Sequence, residues 1–482
     1  MASLGITTIP HELLGEVFVR CSYYSADAPV ILSTVCQRFR VVARSTPRAW
    51  RSLRLSVCQE KERQTIRKAS LWFSLSGICC LDLYIDIEGQ TANVPETHSL
   101  LIAFLQRHTT RISSLNVRSE TEKAAHSFLD ALYFPLPFSP SPTQLPLKTL
   151  RLRVASDTPG LPATSAATSV FHTFTHIPHL KSLQLTNHKL PSLFTPDFHN
   201  LQTLTIARPL RAPPISVQQL LQIVHAAPFL VNLEIASRVV HAETHQPLFE
   251  ELYLPYLKNL SLRTNEVPSL VEVLVAPILE ELHINDLDGK RHGASAELTQ
   301  SLQTVSRKLM SRGALDWCVK RLYITGLSLH RDDPGAQTWE WCLGRARMLE
   351  ELSVSSNDED FEVLVNFLVG EYAGSCVCPL LKMIHVSGLE SFDGMDRLKR
   401  ERPGIEVIMD VLGTRGVTSR SSSRDSSRDR RPCNGLGGGG SGFGFGFGSR
   451  FAIQRNGYKM PATGSDAKLK RQPVLAVDCE DW

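Results

Sequence analysis

Long apolar runs are missing from this 482-residue chain. No stretch approaches the ~20 apolar residues that a bilayer-spanning helix needs. The N-terminus carries no basic segment followed by an apolar core, so no signal peptide is expected. A cysteine framework is missing too. The 11 cysteines are scattered, with Cys79 and Cys80 adjacent and Cys376 and Cys378 two apart. That pattern argues against a disulfide scaffold and for free thiols in the cytoplasm or nucleus, several of them packed as small hydrophobes. A lone Cys-x-Cys falls short of the four ligands of structural zinc.

Catalytic constellations are equally scarce. His172, His176 and His179 have metal-like spacing, but no Asp, Glu or Cys stands beside them at ligand distance. His241-Ala-Glu-Thr-His245 is not the His-Glu-x-x-His order of a zinc protease. The glycines of 437–448 neither follow a strand nor open a helix, so they are no phosphate loop. Cys36 sits on an apolar stripe with no histidine next to it, which suits packing better than nucleophilic attack. The chain is therefore expected to be non-catalytic, with no metal and no cofactor.

Apolar residues make up 42% of the chain and charged residues 21%, so most of it can fold. Its length exceeds one ordinary core and calls for several domains or one long solenoid. The net charge of +4 is unevenly spread. Residues 413–482 carry 12 Lys and Arg against 6 Asp and Glu, while the preceding residues carry 40 against 42. The folded part is thus nearly neutral and has no general bias toward nucleic acid or membrane. From Gly413 onward the composition is Ser/Arg-rich, then Gly/Phe-rich, ending in a short basic cluster. Such a tail cannot bury enough apolar surface to fold and is expected to be disordered. Three roles stay open for it: a plain flexible tail, a phosphorylatable or nuclear-targeting segment, and an RNA-binding arm.

The N-terminus reads as a small helical module over residues 1–55. Pro10 suits a first helical turn, and Glu12 sits at the positive end of the helix dipole. Leu13, Leu14, Val17 and Phe18 form one apolar stripe. A second helix carries Ile31, Val35, Phe39 and Val42 at steps of three to four, with Cys36 beside them, and Pro47 marks its stop. The polar residues Tyr23 to Asp27 are expected to lengthen the connection between the two.

Residues 56–412 follow another rule. An apolar residue, two variable ones, Leu, one variable and another apolar residue recur twelve times from Trp50 onward, at spacings of 21 to 40. The central positions are Leu53, Leu81, Leu115, Leu150, Leu183, Leu204, Leu233, Leu260, Leu282, Leu322, Leu352 and Ile384. Each unit reads as a short strand, and helical segments such as 216–228, 269–277 and 361–372 lie between. Proline recurs just before several strands and ends the helices. The fold class expected is α/β, with short parallel strands alternating with helices.

The opening "IPHELLGEVFVRC" and the later "APVILSTVCQRFRVVARSTPRAWRSLRL" resemble the F-box in its fungal form, with Phe39 where tryptophan is usual. The array from residue 50 to about 390 is similar to a leucine-rich-repeat solenoid. The asparagine that usually follows each strand is mostly missing, although Asn187, Asn265 and Asn285 lie near such positions. The resemblance implies a substrate-recognition subunit of an SCF-type cullin–RING ubiquitin ligase, bound to a Skp-family adaptor and, through it, to a cullin. Pro10, Leu13, Leu14, Val17, Val35, Cys36, Phe39 and Trp50 are the implied adaptor contacts. A protein target would meet the residues between the inward leucines, among them Arg151, Gln184, Glu234, His283, Tyr323 and His385. These are mixed in type, unlike the basic, aromatic-studded face of a nucleic-acid binder. The alternative is an RNA-associated or protein-interaction scaffold working through the tail.

Overall fold

Strands form where the recurring leucines set a two-residue period. In the computed structural model, residues 9–410 are described apart from several breaks, the longest at 134–145 and 156–178. The expectations for His172, His176, His245 and residues 413–482 lie outside the described residues. A 13-stranded, all-parallel sheet runs through the array in strict chain order. Its strands are β1 (Ser52–Val57), β2 (Leu81–Ile87), β3 (Ile112–Ser119), β4 (Thr149–Val154), β5 (Ser182–Thr186), β6 (Thr203–Ala207) and β7 (Asn232–Ala236). After them come β8 (Asn259–Thr264), β9 (Glu281–Asp286), β10 (Arg321–Thr325), β11 (Glu351–Ser355), β12 (Met383–Ser387) and β13 (Glu406–Asp410).

The pairing register puts the central leucines in one row. Leu115, Leu150, Leu183, Leu204, Leu233, Leu260, Leu282, Leu322, Leu352 and Ile384 stand opposite one another from strand to strand. All are buried, and alternate positions on each strand are more open, as the period of two demands. Burying each such side chain contributes about 1.5–3 kcal/mol. The connections between strands supply helices over the buried face. Val217–His225 turns Leu220, Leu221, Ile223 and Val224 inward, and Asp358–Val369 does the same with Phe361, Leu364 and Leu368.

Two departures from the sequence pattern have local causes. The second unit is not centred on Leu81. Leu53 pairs with Leu83, and Leu83 with Leu115, after a register shift between Leu81 and Asp82. Ile78, expected to lead that unit, is 98% exposed. The thirteenth strand was not expected at all. Val407 stands opposite Ile384 there, and Gly404 occupies the leading apolar position. Asn265 does serve as a strand-to-strand tie: its side chain accepts from Val239 N–H at 2.8 Å and donates to Val239 C=O at 3.1 Å.

Before β1 lie three helices, α1 (His11–Tyr24), α2 (Ala28–Val35) and α3 (Gln37–Ser45), then a 3-10 turn, Pro47–Trp50. The expected second helix is two helices, because Cys36 takes an extended backbone (φ −160°, ψ 167°). Its sulfur then caps α3 by accepting Phe39 N–H at 3.4 Å. The apolar stripe breaks there: Phe39 and Val42 are buried, while Ile31, Val35 and Cys36 are exposed. Tyr23 and Tyr24 belong to α1, so the connection to α2 is only Ser25–Asp27.

The module and the array are fused. Trp50 meets Trp72 of helix α4 (Glu62–Leu75) edge-on, ring centroids 5.0 Å apart. Lys68 of α4 reaches Asp27 at 2.7 Å. Leu14, Phe18 and Phe39 belong to the same continuous buried cluster as the strand leucines, and the described residues fall in one compact unit.

Candidate functional site

In α1 the four apolar residues divide by face. Leu14 and Phe18, four apart, point inward, and Phe18 meets Phe39 edge-on at 5.2 Å. Leu13 and Val17, also four apart, point outward and are 59% and 48% exposed. On α2 a second such pair is open: Ile31 is 59% exposed and Val35 is 61% exposed. The two helices pack on each other. Tyr23, Tyr24 and Val41 add further exposed apolar surface. Four outward aliphatic side chains on 22 helical residues are unusual in a soluble element.

The support under these side chains is rigid. Trp50 donates its indole N–H to Ala43 C=O at 2.7 Å, and Thr46 its hydroxyl to Val42 C=O at 2.7 Å. The Arg38 guanidinium donates to Ile9 C=O, and Arg40 Nε to Ser33 C=O at 3.2 Å. Arg48 pairs with Glu16 at 2.9 Å. Gly15 lets the chain close: a Cβ there would lie 2.9 Å from Thr46 Oγ1.

The eight expected contact residues therefore separate. Pro10, Leu13, Val17, Val35 and Cys36 lie on the surface. Leu14, Phe39 and Trp50 are interior and position the others. Ile31, on the apolar repeat of the expected second helix, joins the surface set.

The open face of the sheet forms a second candidate. Arg151, Gln184, Glu234, His283, Tyr323 and His385 fall in one register row, beside the leucine row. Toward the C-terminal end this row and its neighbour interlock. His283 stacks on Tyr323 at 4.0 Å, with ring planes 11° apart. Tyr323 donates to Glu351 Oε1 at 3.0 Å, and His385 lies 3.5 Å from the same oxygen. Glu281 meets His283 at 2.6 Å and is also paired with Arg321. Burial, with the Glu351 hydrogen bond, pushes the Tyr323 phenol above its ordinary range. Tyr323 is thus a neutral donor at any physiological pH. Further back, Arg118, Arg151 and Arg153 make the face basic.

A third cluster was not foreseen. Glu122 and His126 of helix Glu122–Tyr133 meet His188, just beyond β5. His188 lies 62 residues beyond His126 in sequence, so no local spacing could announce it.

No known protein family matches the chain, and no characterised protein matches its sequence.

Proposed function

We propose that this protein is the substrate-recognition subunit of an SCF-type cullin–RING ubiquitin ligase. On this reading α1–α3 are an F-box-like module that docks a Skp-family adaptor, which brings the cullin. The strand-and-helix array is a leucine-rich-repeat-like platform whose open face takes a protein target. The chain itself contributes no catalysis and acts in the cytoplasm or nucleus.

One observation carries the reading. The module keeps Leu13, Val17, Ile31 and Val35 in water although its core is complete without them. Exposed aliphatic pairs on two packed helices are the usual substance of a helix-to-helix interface core. Each is already about half covered, so burying the rest of the four would contribute about 3–7 kcal/mol before the cost of association. The fused array holds the module in one orientation, which fits a subunit that fixes the distance between two partners. The mixed, interlocked face around Tyr323 and Glu351 supports recognition of a polar protein segment.

Co-purification of the full chain tests the assignment. The expected result is stoichiometric recovery of a Skp-family adaptor and a cullin, insensitive to ribonuclease. Recovery of RNA in place of the adaptor would favour the RNA-associated scaffold instead.

A further inference from the structure

Three side chains converge where a helix start meets the carboxyl end of a strand. Glu122 and His126 stand four apart on one helix face. His188 follows Asn187, which adopts φ +55° and is tied down on both sides. Asn187 N–H donates to Ala207 C=O at 2.7 Å, and its side-chain amide to Val154 C=O at 3.3 Å. A non-glycine residue in that backbone region persists when its surroundings over-determine it. The turn therefore holds His188 in place.

The distances describe a ligand set. His126 Nε2 and His188 Nε2 are 2.7 Å apart, with the rings tilted by 30°. Glu122 Oε1 lies 3.3 Å from His188 Nδ1 and 3.8 Å from His126 Nε2. One ligand atom from each residue lies within 4.8 Å of the other two. The His188 side chain is fully buried, while those of His126 and Glu122 are 13% and 21% exposed.

The proton positions are assigned from these contacts: a proton on His188 Nδ1 faces the carboxylate at 3.3 Å, which leaves the His188 Nε2 lone pair for the Nε2–H of His126.

We propose that Glu122, His126 and His188 bind a divalent transition-metal ion of the zinc class. Two imidazoles and one carboxylate are a ligand set that Zn2+ favours, and a fourth position is left to water. In a tetrahedral complex the two nitrogens would stand about 3.3 Å apart. A small rotation of the tilted rings opens that gap, and His126 moves its proton from Nε2 to Nδ1. On binding, Glu122 releases His188 Nδ1 and turns its carboxylate to the ion. The bound ion would staple the helix after β3 to the end of β5.

The test uses the full chain stripped with chelator, then titrated with Zn2+ or Co2+. Wild type should take up one more equivalent than either His126→Gln or Glu122→Gln. It should also show a visible Co2+ absorption that both variants lack, and Zn2+ should raise its melting temperature alone. Equal uptake and equal spectra in all three proteins would overturn the site. An unchanged Glu122→Gln would overturn the three-residue set. Hydrogen exchange of wild type covers the case of a misfolded variant. Zn2+ should slow exchange over 119–133 and 186–190, and no slowing there would equally refute the proposal.

Discussion

The N-terminal module and the array treat aliphatic side chains in opposite ways. In the array β1 to β12 turn an apolar row inward and leave the alternate row mostly polar, hydrogen-bonded around Tyr323 and Glu351. In the module α1 and α2 turn one aliphatic pair inward or against neighbours and leave another in water. The array has a sheet neighbour on each side to complete it; the module has one neighbour, the first repeat, through Trp50 and Trp72. A surface that the fold does not need is a surface kept for a partner.

The largest expected break is in the array. Leu260→Asp places a charge in the leucine row, where the native side chain is 3% exposed. An unpaired buried carboxylate there should cost at least about 3–5 kcal/mol and abolish cooperative melting. A wild-type melting curve would mean that this row does not face inward.

Trp50→Ala attacks the joint between the regions. Truncating a buried tryptophan costs about 3–5 kcal/mol. Hydrogen exchange should rise in α1–α3 and in β1 and α4 together. A rise confined to the module would show that the two regions are independent.

Gly15→Ala sharpens the comparison within the module. The new methyl would press on Thr46 Oγ1, which is already bonded to Val42 C=O. A loss of about 1–3 kcal/mol is expected from thermal melting. No loss would mean that α1 has room to move.

Tyr323→Phe should have the smallest effect. It removes the hydrogen bond to Glu351 on a half-open face, worth about 0.5–1.5 kcal/mol. Chemical denaturation measures it. A loss above that range would make the open face part of the stabilising core.

The strands were legible because one leucine every repeat, spaced by two from another apolar residue, has few other solutions. Where the pattern misled, the cause was local. In the second unit Leu83, two residues past Leu81, faces Leu53 and Leu115, and β13 uses Val407 and Met409 without a leucine. In the module the spacing of Ile31, Val35, Phe39 and Val42 runs smoothly through Cys36, but the extended backbone there resets the helical phase. Sequence could not divide Leu13 from Leu14 or Val17 from Phe18, since each pair shares one broad stripe. The division rests on where α3 packs. The Glu122, His126 and His188 cluster was hidden for another reason: its residues meet only when the third and fifth strands are set in register.

One measurement addresses the central claim directly: the affinity of the full chain for a Skp-family adaptor, taken alongside its melting temperature. The variant is Leu13→Asp/Val17→Asp/Ile31→Asp/Val35→Asp, four changes confined to exposed positions. The account predicts that melting changes little, since exposed substitutions usually stay within about 0.5 kcal/mol each, and that adaptor binding disappears. Undiminished binding by a variant that melts like wild type would contradict it.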